Sequence, residues 1–186
     1  GHAWTILPYA ATSAVTLPIS RGRTYTHAVR DPIRGEVPIR GILTASRMGS
    51  EKLVILMHGV AATPREPYLI RLTRTLTRSG YDVLNLGLRG STGHGSDHYH
   101  AGLIDDLNAV MSDPTFSAYQ DIFIVGHSLG GHVALRYGLS GHTSRVRGIV
   151  AVCSPLSMKA SQRALDAPGM AVYRHAVLSI LKLKYS

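Results

Sequence analysis

Hydrophobic residues along the chain fall into two alternating patterns, short continuous runs and stripes with helical spacing. The run Leu-Val-Ile-Leu-Met at 53–57 is typical of a strand that is buried on both faces. Leu69, Leu72 and Leu76 then recur at the spacing of one helix face, and Gly80 supplies a helix-ending residue. Repetition of the two patterns predicts further strands at 24–29, 39–45, 81–88, 121–125 and 148–152, and further helices near 103–111, 132–139 and 173–181.

The order of these elements predicts an α/β fold with a mostly parallel sheet and helices on both faces. The two leading strands have no helix between them, which indicates an antiparallel start. A length of 186 residues supports one compact domain, and a hydrophobic content of 45% excludes wholesale disorder. No run reaches the roughly eighteen apolar residues that a membrane-spanning helix needs. Cys153 is the one cysteine, so neither an internal disulfide nor a cysteine-based zinc site is expected.

The chain is basic, with 20 Lys and Arg against 11 Asp and Glu and a net charge of +9. Such a charge raises the question of a nucleic acid or an anionic membrane as partner. The basic residues are scattered, although Arg71, Arg74 and Arg78 share one helical face, and no basic run with interleaved aromatic residues occurs. We therefore expect no nucleic-acid partner. A solvated basic surface, or an acidic part of the protein outside this chain, accounts for the charge.

The strongest chemical signal is the segment Gly-His-Ser-Leu-Gly at 126–130, which matches G-x-S-x-G between a predicted strand and a predicted helix. Ser128 is the candidate nucleophile, because this motif places a serine on a sharp strand-to-helix turn. Gly126 and Gly130 lack the Cβ atoms that would collide there, and the helix dipole favours a developing oxyanion. His127 is interpreted as a residue of the turn that does not point at the serine oxygen. The alternative is an ordinary glycine-rich turn.

A second signal, His-Gly-Val-Ala at 58–61, follows the buried run at 53–57. A tetrahedral intermediate needs two backbone N–H donors, and we expect them at Leu129 and Val60, with Gly59 letting the backbone turn inward. His58 is interpreted as a structural residue that hydrogen-bonds its own loop. The competing role of catalytic base is disfavoured, because the base follows the nucleophile in the chain order of this arrangement.

Together these segments resemble the α/β-hydrolases, and within them the YheT-like group that includes the ABHD-type lipid esterases. The matching stretches are 4–8 (Trp-Thr-Ile-Leu-Pro), 58–60, 85–90 (Asn-Leu-Gly-Leu-Arg-Gly), 126–131, 151–155 (Ala-Val-Cys-Ser-Pro) and 173–174 (Tyr-Arg). The resemblance implies a serine hydrolase that acts on esters, often with acyl or lipid character, through Ser128.

The resemblance also places the triad acid and the base His in elements that would follow residue 186. We therefore expect residues 1–165 to be the N-terminal, nucleophile-bearing part of the core and 166–186 to begin a helical lid. The C-terminal third is then outside this chain, and a second chain carrying the acid and the His is the expected partner. Asp166 and His175 follow Ser128 in triad order, and they are the internal alternative.

The expected reaction is ester hydrolysis through an acyl-enzyme, on a small-molecule or lipid ester. The alternatives are an acyltransferase with the same nucleophile and a non-catalytic fragment or binding module. No cofactor is expected, since neither a phosphate-binding loop nor a dinucleotide fingerprint occurs. A metal could be ligated by Asp97, His98 and His100, but no partner cluster is visible and no metal is expected. A second pattern, His100 with Asp105, matches one found in acyltransferases, and we interpret this match as a coincidence. No leader pattern is present, which favours a cytoplasmic location, and the last helical stripe could lie on a membrane surface.

Overall fold

A computed structural model describes residues 22–92, 98–141 and 144–185, with side chains described as far as Lys182. The stretch at 4–8 that contributes to the family resemblance lies outside the described residues. The strands are β1 (Gly22–Asp31), β2 (Gly35–Thr44), β3 (Lys52–Met57), β4 (Asp82–Leu86), β5 (Asp121–His127) and β6 (Val146–Val152). The helices are α1 (Pro67–Arg78), α2 (Asp105–Ser112), α3 (Leu129–Leu139), α4 (Met158–Asp166) and α5 (Ala171–Tyr185), with 3₁₀ turns at Pro114–Phe116 and Pro168–Met170.

The six strands form one sheet in the order β1-β2-β4-β3-β5-β6. β1 pairs antiparallel with β2 and β2 antiparallel with β4, whereas β4, β3, β5 and β6 run parallel. Ile55 at the centre of β3 lies between Leu84 and Ile124 of its two neighbours. The α/β class, the mostly parallel sheet and the antiparallel start are therefore confirmed.

The core lies on both faces of β3, which explains the continuous apolar run. Leu53, Ile55 and Met57 face a large cluster that includes residues of α2 and α3. Val54 and Leu56 point the other way, into a smaller cluster with Leu69 of α1. Because successive side chains of a strand point to opposite faces, an interior strand covered twice must be apolar at every position.

Helix ends follow local sequence signals. Pro67 begins α1, where its missing N–H costs no helical hydrogen bond, and Glu66 just before it accepts a hydrogen bond from the Thr63 N–H (3.1 Å). After the helix, Gly80 has φ 86°, a left-handed conformation that a residue with a Cβ adopts only with strain.

Helix α4 was not predicted from the sequence. Its N-cap is Ser157, whose side chain accepts a hydrogen bond from the Ala160 N–H (3.2 Å), but none of its residues is buried. Met158 and Leu165 are its only large apolar residues, and the segment is polar on average, so it was not recognised as a helix from the sequence. The last helix was predicted, and it extends from Ala171 to Tyr185 rather than from 173 to 181.

Helices α4 and α5 contact one another and the 3₁₀ turn between them. No described side chain of α5 is buried, and Val172, Leu178 and Ile180 are exposed apolar residues on it. A lid that begins at residue 166 stays a prediction. Within the described ranges, every helix is too short or too polar to cross a membrane.

Candidate active site

Ser128 lies between the last residue of β5 and the first residue of α3, and its backbone is strained. It has φ 51° and ψ −119°, a region that residues with a Cβ rarely occupy and that costs of order 1–3 kcal/mol. The strand geometry extends to this point, because the Ser128 N–H donates to the Val152 carbonyl of β6 (2.8 Å). A serine at a helix N-cap normally has extended backbone and caps the helix with its hydroxyl. Ser128 makes no such cap bond, so its hydroxyl is not committed to the helix.

Three glycines allow the chain segments around Ser128 to approach closely. A Cβ on Gly126 would overlap the backbone of Gly130, and a Cβ on Gly130 would overlap the His58 carbonyl and lie 2.9 Å from the Met57 Cβ. A Cβ on Gly59 would lie 3.1 Å from the Ser128 Cβ. The steric requirement that the sequence indicates for Gly126 and Gly130 is therefore present. The same geometry places the 58–61 loop directly against Ser128.

Two backbone N–H groups beside Ser128 are candidates to bind an oxyanion. Leu129 is the first residue of α3, where helix N–H groups lack intrahelical partners. Val60 lies in a turn in which Ala62 donates to the Gly59 carbonyl (3.4 Å) and Ala61 donates to the Tyr99 hydroxyl (2.6 Å). Among the described residues, neither the Val60 nor the Leu129 N–H has a hydrogen-bond acceptor. Both donors that the sequence predicts are thus uncommitted.

His58 is fully buried and is engaged by its surroundings through both ring nitrogens. Its Nδ1 lies 2.7 Å from the Gly59 carbonyl, which can only accept, so Nδ1 carries the proton. Its Nε2 accepts from the Leu88 N–H (3.2 Å) and lies 3.0 Å from the Ser91 hydroxyl. Neither nitrogen is directed to Ser128 by these bonds. The arrangement fits the structural role that the sequence indicates for His58.

The loop after β4, which hydrogen-bonds to His58 through Leu88 and Ser91, is held in place by ion pairs of Arg89. Arg89 is almost fully buried and contacts the Asp31 Oδ2 (2.6 Å) and the Asp106 Oδ1 (2.7 Å). Hydrogen bonds from the Arg34 and Ile33 N–H groups, followed by that from Arg89, lower the pKa of Asp31 to about 2. The second oxygen of Asp106 is buried without a partner. These contacts tie β1 and α2 to the loop that carries Ser91.

A buried amide fixes the other loop beside the candidate site. Asn85 of β4 accepts a hydrogen bond from the Thr73 hydroxyl (2.8 Å) and donates to the Pro64 carbonyl (3.1 Å). Thr73 belongs to α1 and Pro64 to the segment before it. Asn85 therefore holds the connection from the 58–61 loop into α1 against the sheet.

The two histidines that flank Ser128 are turned to other partners. His127 is the last residue of β5, and its ring packs against Tyr68 with centroids 4.7 Å apart. Burial lowers the pKa of His127, so the ring is neutral at pH 7; a hydrogen bond to the Met57 backbone opposes the shift. His132 is in the first turn of α3, and its Nδ1 donates to the Pro155 carbonyl (2.7 Å).

The internal triad alternative does not assemble. Asp166 is exposed at the end of α4, with Arg174 3.9 Å from its carboxylate. His175 is exposed on α5, and its Nδ1 lies 2.8 Å from the Ala171 carbonyl. No hydrogen bond or ion pair joins Asp166 to His175 in the described part of the chain.

The metal alternative finds no support in the residues that the structure describes, where no group of three or more His, Cys, Asp or Glu side chains could hold an ion. His100 accepts a hydrogen bond from the Gly102 N–H (3.1 Å). Asp97 lies outside the described residues.

Comparison with known proteins identifies the family. Residues 49–183 match the sequence profile of the family described as serine aminopeptidase, S33. The chain belongs to this family. The matched residues include the 58–61 loop, the turn that carries Ser128, helix α4 and residues 171–183 of α5. No curated protein matches the S33-family chain significantly.

Solved structures place this S33-family chain among α/β-hydrolases. An esterase from Pyrococcus furiosus is 25% identical with a TM-score of 0.61, and the match covers 79% of this chain and 58% of the esterase. A dienelactone hydrolase from Anabaena variabilis is 20% identical with a TM-score of 0.54, covering 70% of this chain and 63% of the hydrolase. An esterase from Exiguobacterium antarcticum is 20% identical with a TM-score of 0.52, covering 70% and 46%. The chain thus spans about half to three fifths of these proteins, and the narrower YheT-like group stays a prediction.

Sequence reasoning missed the residues that support the candidate site from a distance. Ser91 and Tyr99 hydrogen-bond to His58 and Ala61 of the 58–61 loop. The Arg89–Asp106 pair holds the loop that carries Ser91. Arg89 belongs to the 85–90 stretch that contributes to the family resemblance, but no local pattern in that stretch indicates its burial. Its acidic partners lie 58 and 17 residues away in the chain, which no local pattern connects.

Proposed function

We propose that this chain carries the nucleophile of a serine hydrolase that cleaves carboxylic esters through an acyl-enzyme on Ser128. The observation that carries the proposal is the strained backbone of Ser128 between β5 and α3, combined with a hydroxyl that does not cap the helix. Membership of the S33 family and the 25% identical esterase add support for hydrolysis.

The proposed reaction proceeds in two steps. The Ser128 Oγ attacks the ester carbonyl carbon while its proton passes to a base, and the Leu129 and Val60 N–H groups bind the oxyanion. The C–O bond of the ester breaks, and the alcohol leaves with that proton. Water then attacks the acyl-enzyme with the help of the same base and releases the carboxylic acid and Ser128. In this proposal Gly126 and Gly130 permit the sharp turn at Ser128. His58 and Gly59 hold the 58–61 loop, which carries the Val60 N–H.

The acid and the base are proposed to come from a second chain. Asp166 and His175 are separated and exposed, His58 is committed to its loop, and His127 and His132 face other partners. A second chain has a surface to join. Within the described residues β6 has a neighbour on one side only, and Val150 and Val152 on it are 53% and 36% exposed. Without a base the turnover should fall by about 10⁶, as in a comparable triad.

The substrate is proposed to be an ester rather than a peptide, with acyl or lipid character. The S33 family description names an aminopeptidase activity, so amide substrates are the comparison to make. The exposed apolar residues of α5 would suit a lid facing lipid or a membrane surface. A cytoplasmic location stays a prediction from the sequence.

A fluorophosphonate probe tests the nucleophile. The protein, isolated with any chain that accompanies it, is treated with the probe and the intact masses are measured. We expect a probe-sized increase on this chain, its loss in Ser128→Ala, and its retention in Ser154→Ala, a serine that packs on the same turn beside Gly131. Labelling that survives in Ser128→Ala would refute the assignment.

Hydrolysis of matched p-nitrophenyl esters and aminoacyl p-nitroanilides then tests the substrate class. Faster turnover of esters, abolished in Ser128→Ala, supports the proposal, and turnover of the anilides alone would replace it by peptidase activity. Added alcohol tests the acyltransferase alternative, because a transferase would form a new ester instead of free acid. Labelling of Ser128 in a sample that contains no other chain would contradict the second-chain proposal, because the serine would then be activated without it.

A further inference from the structure

The 58–61 loop contains a tight turn with an unfavourable backbone conformation. Ala62 donates to the Gly59 carbonyl (3.4 Å), so Val60 and Ala61 are the two central residues of this turn. Ala61 has φ 57°, whereas Val60 has a negative φ. A positive φ at the second central residue alone is typical of a type II turn, where glycine or asparagine is the usual residue. Alanine carries a Cβ, so the turn is strained at Ala61.

The strain at Ala61 lies at the same edge of the sheet as Ser128. Among the residues that the structure describes, three that are not glycine have a positive φ, namely Ala61, Ser128 (51°) and Cys153 (50°). They follow β3, β5 and β6, which are parallel, so all three lie beyond the same ends of the strands. Strained backbone of this kind persists only where the surrounding structure holds it. The turn at Ala61 therefore needs a contact that keeps it in this form.

Tyr99 supplies such a contact. The Ala61 N–H donates to the Tyr99 hydroxyl at 2.6 Å, between residues 38 positions apart in the chain. Tyr99 is itself held, because its N–H donates to the carbonyl of the buried Arg89 (3.1 Å). Its ring also meets the buried His58 ring edge-on, with centroids 5.9 Å apart and planes at 82°. The hydroxyl therefore reaches the turn from a fixed position.

The competing conformation is a type I turn, in which both central residues have a negative φ. It arises when the Val60–Ala61 peptide rotates by about 180°, and this rotation turns the Ala61 N–H away from Tyr99. Alanine thus favours the type I form, and the Tyr99 hydroxyl favours the type II form. The candidate oxyanion donor, the Val60 N–H, belongs to the peptide just before. A loop that alternates between the two forms would hold that donor less firmly.

We propose that Tyr99 is a positioning residue for ester hydrolysis on Ser128, a role that rests on the proposed function. By accepting the Ala61 N–H, the Tyr99 hydroxyl keeps the turn in the type II form and the Val60 N–H directed at the oxyanion. A donor accelerates the reaction when it is in place beforehand, and loss of one complete donor costs about 10²–10³ in kcat. Tyr99 acts through the turn rather than on the ester.

Tyr99→Phe tests this role, because it removes the hydroxyl and keeps the ring against His58. The protein is isolated with any chain that accompanies it. We expect the rate of fluorophosphonate labelling of Ser128, and kcat for a p-nitrophenyl ester, to fall about tenfold or more, with KM changed less than about threefold.

Tyr119→Phe is the matched control. The Tyr119 hydroxyl also makes a hydrogen bond of 2.6 Å, to Asp82 at the start of β4, the opposite end of the parallel strands from Ser128. Its removal should leave kcat and the labelling rate unchanged. Equal losses in the two variants, or a rise in KM without a fall in kcat for Tyr99→Phe, would overturn the positioning role.

Ala61→Gly separates an effect on the turn from any other effect of the Tyr99 hydroxyl. Glycine adopts a positive φ without strain, so the type II form then depends less on Tyr99. Adding Ala61→Gly to Tyr99→Phe should recover at least about threefold of the lost rate. A loss that keeps its full size in the double variant would refute the proposal, because the hydroxyl would not act through the turn.

The labelling rates also separate the positioning role from the nucleophile. If Ser128 of the unmodified protein takes up no probe, the proposed function is refuted and the role of Tyr99 falls with it. If Ser128 is labelled equally fast in the unmodified protein and in Tyr99→Phe, the nucleophile stands and only the positioning role is refuted.

Discussion

The buried charges around Arg89 give the sharpest test of what holds the candidate site in place. Arg89→Met removes the guanidinium and keeps most of the side-chain volume. The Arg89 side chain is 1% exposed and Asp106 4%, so the substitution leaves a carboxylate in the interior with no counter-charge. Breaking a buried pair in this way costs about 3–5 kcal/mol. Since the same contacts fix the loop that carries Ser91, the proposed esterase activity should fall as well.

The chain contains a matched control for this experiment. Arg147 contacts the Asp121 carboxylate at 2.7 Å, nearly the same distance, but these side chains are 57% and 33% exposed. An exposed ion pair contributes about 0–1 kcal/mol. Urea unfolding followed by circular dichroism should therefore give a large loss of unfolding free energy for Arg89→Met and a small one for Arg147→Met. Comparable losses in the two variants would refute the reasoning from burial.

The pH dependence of the stability of Arg89→Met tests whether the unpaired Asp106 carboxylate causes the loss. Burial already raises the pKa of Asp106, and loss of Arg89 should raise it further. Between the unfolded and the raised folded pKa the folded variant binds a proton that the unfolded chain lacks, so the stability deficit should shrink as the pH falls. Adding Asp106→Leu to Arg89→Met should recover at least about 2 kcal/mol at neutral pH, because it removes the isolated charge. A deficit independent of pH, with no recovery in the double variant, would place the cost in lost packing.

Three further predictions concern Ser128 and its surroundings. Gly130→Ala should lose about 1–3 kcal/mol by urea unfolding because its Cβ meets backbone, whereas Gly138→Ala in the same helix meets only the end of the Ile149 side chain and should cost little. Ser128→Gly should be about 1 kcal/mol more stable than Ser128→Ala, since glycine relieves the positive φ and alanine keeps it; equal stabilities would argue against strain. Below about pH 6.5 the free energy of unfolding should fall less in His127→Gln than in the unmodified protein. The pKa of His127 is lowered in the folded state, so the unfolded chain takes up the proton at a higher pH than the folded chain does. An unchanged pH profile would exclude His127 as a source of acid sensitivity.

The parts of the fold that the sequence predicts are those with a local physical signature. Burial of β3 on both faces requires an apolar residue at each of positions 53–57, and that run is visible in the sequence. Helix α4 has no buried residue; the Ser157 side chain caps it, and it contacts α5. With Met158 and Leu165 as its only large apolar residues, the segment carries too few apolar positions to stand out beside the buried stripes of the other helices.

The same distinction applies to the candidate site. The turn at 126–130 is compact in sequence, so a strand, a serine between glycines and a helix identify it together. The Arg89–Asp106 pair and the hydrogen bond from Tyr99 to the 58–61 loop depend on how the chain folds back on itself. A charged residue is expected to be exposed unless something indicates otherwise. Burial of Arg89 results from the tertiary structure and is not indicated by its neighbours in the sequence.

The geometry of Ser128 is maintained by contacts that need neither an acid nor a base. Its backbone strain, of order 1–3 kcal/mol, is held by the approach of Gly126 to Gly130 and of Gly130 to His58, and these segments belong to β5, α3 and the end of β3. Those elements pack into the apolar clusters on the two faces of the sheet, and this burial offsets the strain energy. A second chain that joins β6 would then have to deliver a base to a serine already in position, without reshaping the turn. The proposed activity is therefore separable into a preformed nucleophile on this chain and an activating group that can be supplied afterwards.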